Sequence, residues 1–118
     1  MRLPEEIPRE LRQNALLLPG LLDGQAAWCR EEALQVIASL EGTMVAVSEV
    51  APFHRVTWGT EVHWSMSETV WSVHRQRSES EIDYARRSRR EAVAFLGDYE
   101  ECGDELFALT FPMWKDAA

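Results

Sequence analysis

The sequence predicts an α+β fold in which a mainly antiparallel sheet of four to five strands packs against two main helices. Three observations carry that expectation. Between residues 68 and 96 the hydrophobic period changes from two to nearly four across one short junction. Two alternating runs, residues 54–58 and 61–65, are separated only by Gly59 and Thr60, which suits a type II′ hairpin. A last run places Phe107, Leu109 and Phe111 against Leu106, Ala108 and Thr110 before Pro112. Consecutive strands joined by short loops favour antiparallel pairing, and helices then cover the sheet. A chain of 118 residues is long enough to bury one core without disulfides or metal, so a single domain is expected.

Taken in order, residues 1–22 form an N-terminal segment in which Pro8 suits the first turn of a short helix running to Leu18, ahead of Pro19 and Gly20. Residues 24–40 read as the first long helix, closed by Gly42, with Ala26, Cys29, Ala33, Val36, Ile37 and Leu40 on its core face. Residues 43–50 are rich in β-branched side chains and predict a strand inside the sheet, ended by Pro52. The hairpin follows, with Trp58 opposite Glu61 and Val56 opposite His63, so that His54, Val56, Trp58, Glu61 and His63 share one side.

Thr69, Trp71 and Val73 then alternate with Val70, Ser72 and His74 as the expected central strand. Ser78 stands three residues before Glu81, a capping-box spacing that starts the second long helix near Glu79. Its apolar side holds Ile82, Ala85, Ala92, Val93 and Leu96, extended by Tyr84, Ser88 and Phe95, with Gly97 as the C-cap. Trp71 and Phe95 are expected in one core. Arg89 falls on that apolar side, where an unpaired guanidinium would be costly, and a structural ion pair is the expectation.

Charge narrows the function classes. Twelve basic residues against twenty acidic ones give a net charge of −8, which argues against nucleic-acid or anionic-membrane binding. The distribution is uneven: residues 75–90 carry six Arg against three acids, whereas residues 98–105 carry five acids and nothing basic. Cys29 and Cys102 have no local cysteine partner, which fits core thiols in a reducing compartment. The N-terminal residues lack a signal-peptide pattern and no run approaches the ~18 apolar residues of a membrane span, so a cytoplasmic location is expected.

No phosphate loop, HExxH, GxGxxG or GxSxG motif occurs, and no cofactor or metal is expected. His54, Glu61 and His63 on one hairpin face allow a small enzyme of unknown type as the alternative reading. Trp28 breaks the binary pattern, lying among Glu31, Glu32 and Gln35 on the polar side of the first long helix. Either residues 16–22 fold over it, or it anchors an interface.

Several segments together resemble the small bacterial immunity proteins grouped as immunity protein 40. They are Trp28-Cys29-Arg30-Glu31-Glu32-Ala33-Leu34, Gly42-Thr43 before Val45-Ala46-Val47, Trp71-Ser72-Val73-His74-Arg75, and Glu79 with Tyr84-Ala85-Arg86-Arg87-Ser88, in a span of about residues 28–111. The resemblance implies an immunity protein, encoded beside a secreted toxin, that binds the toxin and neutralises it. The toxin would act inside the cell, as a nuclease, deaminase or ADP-ribosyltransferase does. The partner-binding residues expected on exposure and charge are Trp28, Glu31 and Gln35, the hairpin residues Trp58, Glu61 and His63, and the loop residues Asp98, Glu100, Glu101, Asp104 and Glu105. A carboxylate-rich surface of this kind suits a basic toxin domain.

Overall fold

A computed structural model describes residues 3–100 and 103–112. The chain runs α1 (Arg9–Asn14), β1 (Gln25–Trp28), α2 (Arg30–Ser39), β2 (Glu49–Trp58), β3 (Glu61–Met66), β4 (Trp71–Ser72), α3 (Glu81–Asp98) and β5 (Leu106–Thr110). Among the described residues these strands form one curled antiparallel sheet in the order β1-β5-β2-β3, with β4 also paired to β2. The α+β class and the two substantial helices follow the sequence expectation.

β5 occupies the middle of the sheet, and its alternation decides the two layers. Phe107 and Leu109 point to the helix side, where Ala33, Val36 and Ile37 of α2, Leu40 at its C-cap, and Ala92 and Leu96 of α3 meet Ala26, Trp28 and Val50. Leu106 and Ala108 point to the other side, joining Ala27, Ala51 and Phe53 under Leu18 and Leu21. The N-terminal segment therefore serves both layers. Ile7 and Leu11 close the helix-side core, Leu18 covers the opposite face, and Leu16 exchanges backbone hydrogen bonds with Ala27 along the outer edge of β1. The short helix after Pro8 ends at Asn14, before the expected Leu18.

Residues 25–28 correct the first-helix expectation. They form β1, paired from Gln25↔Thr110 to Trp28↔Phe107, and the extended Cys29 (φ −64°, ψ 166°) separates them from α2. Ala26, Cys29 and Ala33 have helical spacing, yet pairing with β5 overrides it, because local propensity is small beside a buried ladder. Cys29 is exposed as a consequence, not a core thiol; Cys102 lies outside the described residues.

The strand expected over residues 43–50 begins only at Glu49, and Pro52 lies within β2. Residues 43–47 satisfy much of their backbone through α3 side chains instead of a neighbouring strand. Arg89 Nη1 donates to the carbonyls of Thr43 (3.0 Å) and Val45 (2.7 Å), and the Ser88 hydroxyl accepts from Val47 N–H at 3.1 Å. Arg89, only 5 % exposed, is thus held by carbonyls and not by the expected carboxylate.

Pro52 ends β3 rather than β2. In an antiparallel pair a residue directs its N–H and C=O to the same neighbour. The Pro52 carbonyl accepts from Ser67 N–H at 2.8 Å, so its missing donor also faces Ser67, one residue beyond β3. On the opposite side Pro52 faces Phe107 with the β2–β5 ladder unbroken.

β4 is likewise shorter than expected and lies on an edge, pairing only Val50↔Trp71 and Glu49↔Ser72. Trp71 still stacks on Phe95 of α3, ring centroids 6.5 Å apart. The cap of α3 is Ser80, whose hydroxyl accepts from Asp83 N–H at 3.2 Å, and Ser78 is exposed and outside the helix. Glu79 has another task. Arg87 grips both its oxygens at 2.7 and 2.8 Å and also donates to the His74 carbonyl, pinning the loop before α3 onto the helix. That fork holds the Glu79 carboxyl down at about 2. Gly97 lies inside α3, which continues to Asp98 with Tyr99 as C-cap. Ile82 and Val93, expected in the core, are 39 % and 42 % exposed, because the buried stripe is centred on Tyr84, Ala85, Ser88, Arg89, Ala92 and Leu96.

Candidate partner-binding surface

The hairpin adopts the register read from its turn, with Trp58↔Glu61, Val56↔His63 and His54↔Ser65. Gly59 has φ +62°, and no non-glycine residue in the described chain has positive φ. Positive φ at the first turn position only is the type II′ arrangement. At the tip Trp58 is 74 % exposed, opposite an exposed Glu61 that lies 3.2 Å from the His63 Nε2. This exposed pair contributes little to stability.

His54 marks the base of the same face. Its Nε2 lies 3.1 Å from the Tyr99 hydroxyl and its Nδ1 3.8 Å from Glu105. Tyr99 in turn packs edge-on against Phe107, and its carbonyl accepts from Arg30 at the start of α2. These contacts bring the acidic loop after α3, the hairpin base and the first turn of α2 together. Neither Tyr99 nor Arg30 was expected to position a site; the one sequence signal was a lone aromatic inside a run of carboxylates, Asp98 to Glu101.

The expected residues divide accordingly. Asp98 is exposed at the end of α3, Glu100 and Asp104 are exposed on the loop after it, and Glu31 and Gln35 are exposed one turn apart on α2. Glu101 lies outside the described residues. Glu105 departs from expectation: it is 5 % exposed, directed inward beside His54 where β5 begins. Trp28 departs further. It is 1 % exposed, meets Phe111 edge to face at 6.2 Å, and donates from Nε1 to the Leu11 carbonyl at 2.8 Å. As a strand residue it points into the helix-side core, so it presents nothing to a partner, and the segment that covers it is α1.

His54 and His63 do not converge, since the first is turned to Tyr99 and Glu105 and the second to Glu61. Among the described residues no three His, Cys, Asp or Glu side chains are grouped so as to hold a metal ion. No helix among them is long and apolar enough to cross a membrane. The surface combines the exposed indole of Trp58 at the hairpin tip with exposed carboxylates following α3, beside the His54–Tyr99 contact at the hairpin base.

No protein-family model matches this chain, and neither the curated proteins nor the solved structures contain a match.

Proposed function

We propose that this protein is an immunity protein that binds a cognate, cytoplasm-acting bacterial toxin and neutralises it by occluding the toxin's active or substrate-binding site. The observation that supports the reading most is Trp58, held 74 % exposed at the end of a tightly paired hairpin. Desolvating so large an aromatic is worth most in a partner's pocket. The segments that resemble immunity protein 40 and the net charge of −8 point the same way. Asp98, Glu100 and Asp104 at the hairpin base would speed encounter with a basic toxin face, while Trp58 would slow its departure.

The test is a kinetic binding titration against the product of the neighbouring gene, with folding checked by circular dichroism. Trp58→Ala is expected to raise the dissociation rate at a cost of about 2 kcal/mol. Reversing Asp98, Glu100 and Asp104 to Lys is expected to slow association and flatten its salt dependence. Folded variants that bind like wild type would remove this surface from the proposal. A wild-type chain that binds no neighbouring toxin would remove the immunity reading.

A small enzyme remains the second reading, favoured by one arrangement: the buried Glu105 behind His54 resembles a carboxylate orienting an imidazole base. Glu61 and His63, placed further along the same strand face, would then contact substrate. Under this reading His54→Gln would abolish turnover while leaving toxin binding absent in wild type and variant alike.

A further inference from the structure

α2 and α3 leave a groove of about 490 Å³ between them, lined by no residue of the proposed partner surface. It is lined by Leu34, Ile37 and Ala38 of α2 with Glu41 just past the helix end, and by Arg86, Arg89, Arg90 and Val93 of α3. Leu34, Ile37 and Ala38 at i, i+3 and i+4 share one face of α2, and the four α3 residues at i, i+3, i+4 and i+7 share one face of α3. The volume falls in the range of small-molecule sites, which combine apolar walls with a few convergent polar groups.

The charge of this groove runs against that of the chain. Three guanidinium groups meet one carboxylate in a protein of net charge −8. Arg89 is the central one. Both of its hydrogen bonds to the protein leave from Nη1, so its plane is fixed by the Thr43 and Val45 carbonyls. Its Nε and Nη2 make no hydrogen bond to the described residues, and the side chain lines the groove. Among the described residues no carboxylate is ion-paired with it, and burial together with nearby Arg86 disfavours its charged form, offset only in part by Glu41. A buried guanidinium with two donors to spare, flanked by like charge, is stabilised most by an anion.

We infer that this groove binds a small organic anion, with its carboxylate or phosphate oxygens on Arg89 between Arg86 and Arg90 and a short apolar body against Leu34, Ile37 and Val93. An inorganic ion would leave the apolar wall wet, and an uncharged amphiphile would leave the guanidinium groups unpaired. The ligand therefore needs both parts. The site stands apart from the immunity reading and does not depend on it.

The test is a titration of the intact chain with three probes that share one apolar tail, hexanoate, hexyl phosphate and hexanol, followed by amide chemical shifts at low ionic strength. Saturable shifts confined to residues 34–41 and 86–93 are expected from at least one anion, and the tighter of the two identifies the head group. Arg86 and Arg90 are exposed, so the double variant Arg86→Gln, Arg90→Gln should fold normally and bind at least about tenfold more weakly, as the loss of charge-assisted contacts requires. Arg89→Gln is not used alone, since it would also release residues 43–45. The inference is overturned if neither anion saturates below about 10 mM, which would place any affinity weaker than ~3 kcal/mol. It is equally overturned if hexanol binds as well as the anions, or if the double variant binds like wild type.

Discussion

Replacing Trp28 by Ala tests the part of the fold that departs most from helical patterning. The indole is 1 % exposed, packs edge-on against Phe111 and bonds to the Leu11 carbonyl, so truncation opens a cavity and also leaves a carbonyl of α1 without its donor. Large aromatic truncations in cores cost about 3–5 kcal/mol. Unfolding entropy near the midpoint is about 2.1 cal/mol/K per residue, or about 0.25 kcal/mol/K for 118 residues, so a 4 kcal/mol loss lowers Tm by about 16 °C. Urea unfolding followed by far-ultraviolet circular dichroism should show the midpoint falling by more than about 1 M, given slopes of ~1–3 kcal/mol/M. Trp28→Phe separates the two contributions, because it keeps an aromatic edge near Phe111 and removes only the N–H and part of the volume; about 1–3 kcal/mol is expected. If Trp28→Ala unfolded at the wild-type midpoint, residues 25–28 would not be a strand against β5, and the exposed, helical placement of Trp28 would return.

Further predictions concern the ends of α3 and the hairpin. Ser80→Ala should cost about 1 kcal/mol in the same urea assay, whereas Ser78→Ala should cost less than ~0.5, because only Ser80 accepts from a first-turn N–H; equal losses would place the helix start wrongly. Glu79 has its carboxyl held at about 2 in the folded chain against an ordinary 4.5. The stability that it contributes is therefore fully present above 4.5 and lost as pH falls through about 2. Glu79→Gln should flatten the acid side of the stability profile across that window, and an unchanged profile would show that the Arg87 fork does not persist in solution. Gly59→Ala should destabilise the chain by about 1 kcal/mol through its positive φ alone, since no atom lies within 4 Å of the added Cβ; thermal melting that showed no loss would argue for a different turn.

What the sequence determined by itself is the set of features carried by short-range physics. The hairpin register follows from a two-residue turn with Gly first, and the alternation of residues 106–111 sorted side chains into the two layers that the sheet then buries. The existence of α2 and α3 followed from their apolar period, and so did the contact of Trp71 with Phe95. The exposed indole of Trp58 and the exposed loop carboxylates were legible for the same reason. The tertiary structure decided what depends on partners distant in the chain. Ala26 and Trp28 match helical spacing, and only the ladder to β5, more than 75 residues away, makes them a strand. Residues 43–47 have β propensity, yet Ser88 and Arg89 supply their hydrogen bonds and no neighbouring strand is needed. Pro52 looks like a strand end, and only the identity of the edge it faces shows that it ends β3. Glu105 has the same sequence neighbourhood as the exposed acids before it, but pairing of Leu106 with Phe53 turns it inward beside His54. In each case a backbone or charged group had to find a partner, and which partner was within reach depended on the packed chain.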